Sequence, residues 1–592
     1  MKKRRNYYKP YRRKRYRIRP GAFVLFIVII AAIITTVLLV YLKTNDLGPF
    51  KPVIDPTPTQ TPAPFVQSVP DPTPEPVTGI QPAATDSTQP SAFGFETDIQ
   101  VDGQIVSDYT RAAPISFGSG ADYTALKGVT TFRGNNYRTT SSYGAAEPTE
   151  ETLTRMWNID SGALTRWLGS GWTGQPLMVQ WDDDMRQMMN MYDEKKEKDT
   201  LIEVIYPTMD GKVYFLDLDD GSYTRDSIDM GVSIKGTASV DPRGYPLLYV
   251  GQGVGASGDY EWDDTYMYIY SLLDGQLLWK YGAADHDEFA HRVSWQAYDS
   301  SPLIAADADT LVWPGENGVL YTVVLNSDFD RAAGTVNISA SEPVKYRYDT
   351  PLNADDAEDV RWYGMENSAV AWKNYLYFTD NGGWLQCIDL NTMELVFAQD
   401  VNTDTDSSLV LEQEGDNVYL YTGGSVDIKH ASGDDVAEGS CYIRKINALT
   451  GEFIWEKQYS CYKNAKVSGG VYATPLLGQG DMDGMIIYTI ARTGSLEKGS
   501  IIAFDKVTGN VVWEQEMKHY SWSSPAAVYT PGGKGYIIQC DSSGDMMLLD
   551  GLTGETLDKV NLGENIEASP SVFNNMVVVG TKGEKIYGVR IN

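Results

Sequence analysis

From Leu153 onward the chain is a succession of short apolar runs rich in Val, Ile, Tyr and Trp, broken by Gly, Asp and Asn. Runs of this length between turn formers predict β-strands, and no long stretch keeps the spacing of an amphipathic helix. The runs recur as a unit. Its clearest copy is Ile501–Trp513, IIAFDKVTGNVVW: a strand ending in Asp505, a tight turn at Lys506–Gly509, and a second strand closing on Trp513. Weaker copies read YIYSLLDGQLLW (Tyr268–Trp279), CIDLNTMELVF (Cys387–Phe397) and IRKINALTGEFIW (Ile443–Trp455). FLDLDDGSY (Phe215–Tyr223) and MLLDGLTGETL (Met547–Leu557) keep the turn without the Trp. A second signal marks the first strand of each unit: GQPLMV at 174, GTASV at 236, SSPLIA at 300, NSAVAW at 367, SSLVL at 407, ATPLLG at 473, SSPAAV at 523 and ASPSVF at 568. An apolar second strand and then the turn motif follow most starts, so each unit predicts four strands and eight starts predict eight units. Seven is the alternative count.

The last unit has no fourth strand before Asn592, whereas LTRMWNID (Leu153–Asp160) is an orphan strand with Trp157 where the repeat places its Trp. Pairing the two closes the array and removes exposed sheet edges. The expectation for 151–592 is an all-β, eight-bladed β-propeller of four-stranded antiparallel blades. Residues 93–150 form an ordered lead-in, in which Phe132-Arg133-Gly134-Asn135 has no acid–base pair beside it and reads as a structural latch at the propeller base. Asp182–Thr200 is an insertion that predicts a short charged helix packed on the rim, and Arg331–Val360 expands the third unit.

The N-terminus changes the picture of a purely β protein. Residues 1–20 carry eleven Lys/Arg and no acid, and residues 21–42 are apolar throughout. At 1.5 Å per residue this run spans ~33 Å as a helix, enough to cross a bilayer core of ~30 Å. No small-residue cleavage site follows it, so it reads as one uncleaved transmembrane helix with a cytoplasmic basic tail. The expected address is the cell membrane, single-pass, with the N-terminus cytoplasmic and the propeller extracellular. Residues 43–92 form a Pro/Thr-rich disordered linker, with twelve prolines between 45 and 92. Its polyproline II character gives a stalk reaching up to ~150 Å.

The net charge of −30 becomes −42 once the eleven tail cations and Lys43 are set aside. Such a surface excludes nucleic acid as a partner of the exported part. The four cysteines form no CxxC motif, and Cys441 and Cys461 flank one hairpin where they could pair. The histidines, His286, His291, His430 and His519, lack zinc-ligand spacing, and no G-x-S-x-G elbow is present. Asp481-Met482-Asp483-Gly484 lacks the later acid of a calcium loop and reads as an acidic turn.

The repeat A-x-D-x-x-T-G-x-x-x-W, complete at Ala503, Asp505, Thr508, Gly509 and Trp513 and recurring at Asn447, Thr450, Gly451 and Trp455, resembles that of the pyrroloquinoline-quinone-like β-propellers. The resemblance implies a structural, blade-docking role for these residues and for Trp279 and Trp157: the indole locks adjacent blades, Asp or Asn and Thr satisfy turn donors, and Gly supplies positive φ. The family contains quinone-dependent dehydrogenases and non-catalytic envelope scaffolds. The dehydrogenases imply adjacent cysteines stacked on the cofactor and Ca²⁺ held by Glu, Asn and Asp. No two cysteines adjoin here.

Candidate ligand-binding residues come from the loops entering the first strands. Trp172, Trp295, Trp362, Tyr472 and Trp522 precede strand starts, with Glu366, Asn367, Gln175, Asp299 and Arg292 nearby. They either wedge between blades or gather at one mouth of the central channel. The reading is a membrane-tethered, non-catalytic binding or scaffolding module with an envelope protein or cell-wall polymer as partner. No cofactor is expected on that reading. The alternative is a quinone-dependent oxidoreductase using pyrroloquinoline quinone and Ca²⁺.

Overall fold

The computed structural model describes residues 79–592 apart from 165–166, 173, 254–263, 283–288, 293–295, 354–359, 427–436 and 465–467. The tail 1–20, the apolar segment 21–42 and the linker up to residue 78 lie outside the described residues. Among the described residues no helix is long and apolar enough to cross a membrane. Eight antiparallel blades follow one another along the chain, which decides the count against seven. Five of them, blades 2 and 4 to 7, are four consecutive strands. Blade 1 gains Lys127–Val129 on its inner edge, and blade 3 gains the hairpin Glu96–Val101/Gln104–Val106 on its outer edge. Blade 8 closes the propeller as expected: Leu153–Asp160 pairs with Lys585–Ile591, Leu153 opposite Ile591 and Asp160 opposite Lys585. Composition bounded the linker at 92, yet Thr88 is buried, donates to Thr450 O at 2.7 Å and accepts Ala398 N–H at its carbonyl. The ordered packing therefore begins before residue 92.

Adjacent blades are joined at their outer edges by one repeated contact. In the turn, Asp505 Oδ1 accepts from both Thr508 N and Thr508 Oγ1 at 2.7 Å, and Gly509 takes φ +67°. Asn447, Thr450 and Gly451 build the same turn in blade 5, where Asn447 Oδ1 accepts Leu449 N–H and Gly451 takes φ +78°. The preceding blade's Trp, or Phe397 at Gly451, lies on that glycine, and the Trp donates Nε1–H to the carbonyl one residue after the Asp or its equivalent. Trp157 reaches Leu218 O at 2.9 Å, Trp455 reaches Lys506 O at 3.2 Å, and Trp513 reaches Gly551 O at 3.2 Å. A Cβ on Gly221, Gly509 or Gly554 would come within 2.8 Å of the covering indole, so the contact requires glycine. Where blade 1 meets blade 2, Arg225 occupies the Trp position, pairs with buried Glu203 and donates to Leu272 O, the equivalent carbonyl. Trp279 departs from expectation. It is half-buried and stacks on Tyr281 at 5.8 Å. Blade 3 has no matching turn, because the hairpin Asp328–Asp330/Thr335–Asn337 is inserted between its third and fourth strands.

The innermost strands are joined by a second contact, built from the small residues of the strand-start signal. At six junctions a backbone N–H donates to the side chain of the equivalent residue in the next blade: Gln175 to Thr237, Ser301 to Ser368, Ser368 to Ser408, Ser408 to Thr474, Thr474 to Ser524, and Ser524 to Ser569, at 2.9–3.2 Å. All eight residues of this belt are buried. Because it faces the next blade's backbone, the residue before each is Gly, Ala or Ser at every blade but blade 4, where it is Asn367. A Cβ on Gly236 would lie 2.1 Å from Asp299 O.

One end of the channel is filled by the lead-in. Thr130, Asn136, Tyr137 and Ser141 carbonyls accept the N–H groups of Val240, Ala371, Leu411 and Val572, the same repeat position in four blades. Arg133 and Arg138 are fully buried here. Arg138 donates to Ala369 O, Ser301 O, Phe132 O and Thr131 Oγ1, and Arg133 donates to Pro525 O at 2.9 Å. Burial lowers each guanidinium pKa to about 10, which leaves both charged at neutral pH. The Phe132–Asn135 segment is thus a latch through the axis. The blade 1 insertion folds as two short helices, Asp183–Met188 and Asp193–Lys196, and buries Met185, Met189 and Met191 against the rim. Cys441 and Cys461 are buried thiols with Sγ atoms 3.5 Å apart.

The docking contact is measurable. Trp513→Ala is expected to cost about 3–5 kcal/mol in chemical denaturation, the range for truncating a large buried aromatic. Trp279→Ala, with no docking turn beneath it, should cost less than half of that. Equal losses would contradict the assignment.

Candidate functional site

The inner strands run from an open mouth toward the latch, and the belt fixes which side chains stand at that mouth. Two residues before each belt residue, the eight blades present Thr173, Lys235, Asp299, Glu366, Asp406, Tyr472, Trp522 and Glu567. Thr173 lies outside the described residues. The sequence places aromatic and acidic types on different blades, and the fold turns that order into two walls.

The aromatic wall joins blades 1, 6 and 7. Tyr472 stacks on Trp522 at 4.9 Å, Trp172 meets Tyr472 edge-on at 6.2 Å, and Tyr520 adjoins Trp522 at 5.8 Å beneath Arg492. Trp172, Tyr472 and Trp522 are each half-buried. The indole nitrogens of Trp172 and Trp522 are buried and donate to no protein acceptor.

The acidic wall spans blades 3 to 5. Lys235 Nζ pairs with Asp299 Oδ2, and Arg292 Nη1 pairs with Glu316 Oε1 at 2.6 Å. Glu316 hydrogen-bonds Glu366, and Glu366 hydrogen-bonds Asp406. Asp404 adds a fifth carboxyl to the same field. Burial, then mutual repulsion, pushes Glu316 up to about 8, and burial pushes Asp299 up to about 6 against the pull of Lys235. Asp404 and Asp406 are raised well above the usual carboxyl range, first by burial and then by neighbouring acids. Burial opposes the charge on Lys235, but Asp299, Glu366 and Glu316 outweigh it and hold the ammonium charged. Asp299 Oδ1, in a side chain 4 % exposed, and Asp404 Oδ1 accept no protein hydrogen bond. Two unpartnered donors on one wall and two unpartnered acceptors on the other need a polar ligand or water between them.

Of the residues singled out from sequence, Trp172, Tyr472, Trp522, Glu366, Asp299 and Arg292 meet at the mouth. Trp295 lies outside the described residues. Trp362 does not line the opening: it is 4 % exposed, in the turn Val360–Tyr363 where blade 4 is entered. Asn367 is a staple instead. Its Nδ2 donates to Thr379 O, Thr379 Oγ1 and Thr405 O, joining blades 4 and 5. Gln175 is buried at the latch, where its Oε1 accepts Arg133 N–H. Asp481 completes a turn by accepting Gly535 N–H at 2.9 Å. Sequence reasoning missed Lys235, Glu316, Asp404 and Asp406 as mouth residues. The two-residue offset from the strand-start signal would have found Lys235 and Asp406.

The C-terminal residues 497–592 match the family model described as outer membrane protein assembly factor BamB. Over those residues the chain is similar to PQQ-like repeat proteins. No curated protein sequence matches it. Among solved structures, the propeller superimposes on quinohemoprotein alcohol dehydrogenase ADHIIG from Pseudomonas putida with a TM-score of 0.50 at 12% identity, covering 81% of this chain and 83% of that one. BamB from Moraxella catarrhalis gives 0.42 at 14% identity over 74% and 97% of the two chains. Quinohemoprotein alcohol dehydrogenase from Comamonas testosteroni gives 0.37 at 12% over 80% and 82%. At these identities the likeness is one of fold.

The residues at this mouth do not fit the quinone. A polyanionic cofactor would face a wall of five carboxyl groups, and the aromatic side chains that would sandwich it are packed against each other. Among the described residues no three Asp, Glu, His or Cys side chains are arranged as a metal ligand set.

The raised acids set a pH dependence. A carboxyl whose folded pKa exceeds its unfolded value binds a proton in the folded state that the unfolded chain releases, so stability falls as pH rises between the two values. For Glu316 that window runs from 4.5 to about 8. The melting temperature is expected to fall across it, and Glu316→Gln should flatten the slope. A wild-type melting temperature that rises through the same window would contradict the electrostatic account.

Proposed function

We propose that the protein is a non-catalytic binding or scaffolding module held at the cell envelope, with the propeller outside the membrane on a stalk. The apolar segment 21–42, the basic tail before it and the proline-rich linker after it support the address. The observation that carries the binding role is the mouth itself, where half-buried aromatics face buried carboxyls and both walls leave polar atoms unpartnered. Aromatic faces with carboxylates suit a ligand bearing an amine or guanidinium group. A peptide segment of an envelope protein and an amine-bearing wall polymer both carry such groups.

Co-purification from envelope membranes with the detergent-solubilised full chain tests this reading. Trp522→Ala should reduce partner retention by more than about tenfold, the loss of a contact worth ~1.4 kcal/mol or more. Unchanged retention in Trp522→Ala would overturn the site. Saturable dye-linked alcohol oxidation by the wild type after addition of quinone and Ca²⁺ would overturn the non-catalytic assignment.

A further inference from the structure

A second recessed site lies on the flank of the propeller, where the closing strand of blade 8 meets blade 1. It is a cleft of about 430 Å³ lined by Asp160 and Ser161 at the end of the closing strand, Lys212 and Tyr214 on the third strand of blade 1, and Tyr223 and Asp229 beyond its turn. That volume falls within the ~300–1,000 Å³ of small-ligand sites.

The floor is built before any ligand arrives. Asp210, 6 % exposed, accepts Tyr214 Oη–H at 2.6 Å and Gly162 N–H at 2.8 Å, which ties the closing strand to blade 1 and fixes the Tyr214 side chain. Tyr223 lies 6.3 Å from Tyr214 and is 39 % exposed, so it presents a rigidly backed aromatic face to the opening. Ser161 is 8 % exposed, yet its hydroxyl is buried at the cleft and has no protein partner. Asp160 pairs with Lys585 at one edge, and Asp229 is exposed at the other. Among the described residues no carboxylate pairs with Lys212, although it lies in a chain rich in acid.

An exposed aromatic face, short carboxylates, an unpaired ammonium and an unpartnered hydroxyl are the groups that hold a sugar: the face covers the C–H side of the sugar and the others take its hydroxyls. The two rim carboxylates are balanced by Lys212 and Lys585, so the lining has no net charge with which to recruit an anionic polymer. We infer that this cleft binds a short segment of an uncharged glycan, with Tyr223 as its stacking platform and Lys212, Asp229 and Ser161 as its hydroxyl partners. The site is separate from the mouth and does not depend on the function proposed there.

Titration of the full-length protein with cellotetraose, with the N-acetylglucosamine tetramer and with an oligogalacturonate tetramer tests the inference, read by calorimetry. At least one uncharged tetramer should bind and the galacturonate should not. Tyr223→Ala, an exposed position, should weaken that binding by more than tenfold, while Trp522→Ala at the mouth should leave it unchanged. Failure of both uncharged tetramers to bind, equal affinity in Tyr223→Ala, loss of binding in Trp522→Ala, or preference for the galacturonate would each overturn it.

Discussion

The innermost strand of each propeller blade turns one backbone edge to the axis, and among the described residues only blades 1 and 8 receive a pairing strand there, Lys127–Val129 and Ser142–Tyr143. Buried N–H groups left without a partner cost about 1–3 kcal/mol each, and here the cost recurs around the channel. The chain meets it twice. Small hydroxyl residues take the N–H of the preceding blade at the belt, and the lead-in threads the axis to offer carbonyls one turn of the pleat further on. The belt needs a hydroxyl in register at six junctions and the lead-in meets the same backbone position in four blades, so the channel leaves little room for variation below the mouth. The outer edges are freer: Trp, Phe and Arg all serve at the docking position, because what matters there is bulk and, at most junctions, one donor.

Function follows from where that constraint stops. Two residues above the belt no backbone N–H of a neighbouring blade dictates a small hydroxyl, and residue type diverges from Lys to Asp, Glu, Tyr and Trp. The belt holds these positions at fixed spacing while leaving their chemistry open. The result is an aromatic wall and an acidic wall around one opening, with carboxyls forced to share protons because burial and crowding forbid all of them to ionise.

Much of the fold was legible because it repeats. The Asp-Thr-Gly-Trp turn and the small-residue start each recur often enough to survive degradation, and the orphan strand at Leu153 was identifiable by its Trp157. The departures have local causes. Trp279 carries the motif but lost its neighbour's turn to an insertion, and Arg225 does the docking of a Trp while resembling a surface residue in sequence. At the mouth, aromatic residues near strand starts were visible as candidates, but proximity along the chain did not separate Trp522 from buried Trp362. Lys235 and Glu316 were invisible as a pair of opposites, since 81 residues separate two side chains whose charges act on each other within one wall.

The belt is the claim on which the fold and the mouth both rest, and amide hydrogen exchange reads it directly. The N–H groups of Ser301, Ser368, Ser408, Thr474 and Ser524 should exchange only through global unfolding, with protection matching the most stable strand amides. Exchange of these amides through local opening, well before the strand amides that flank them, would contradict the account.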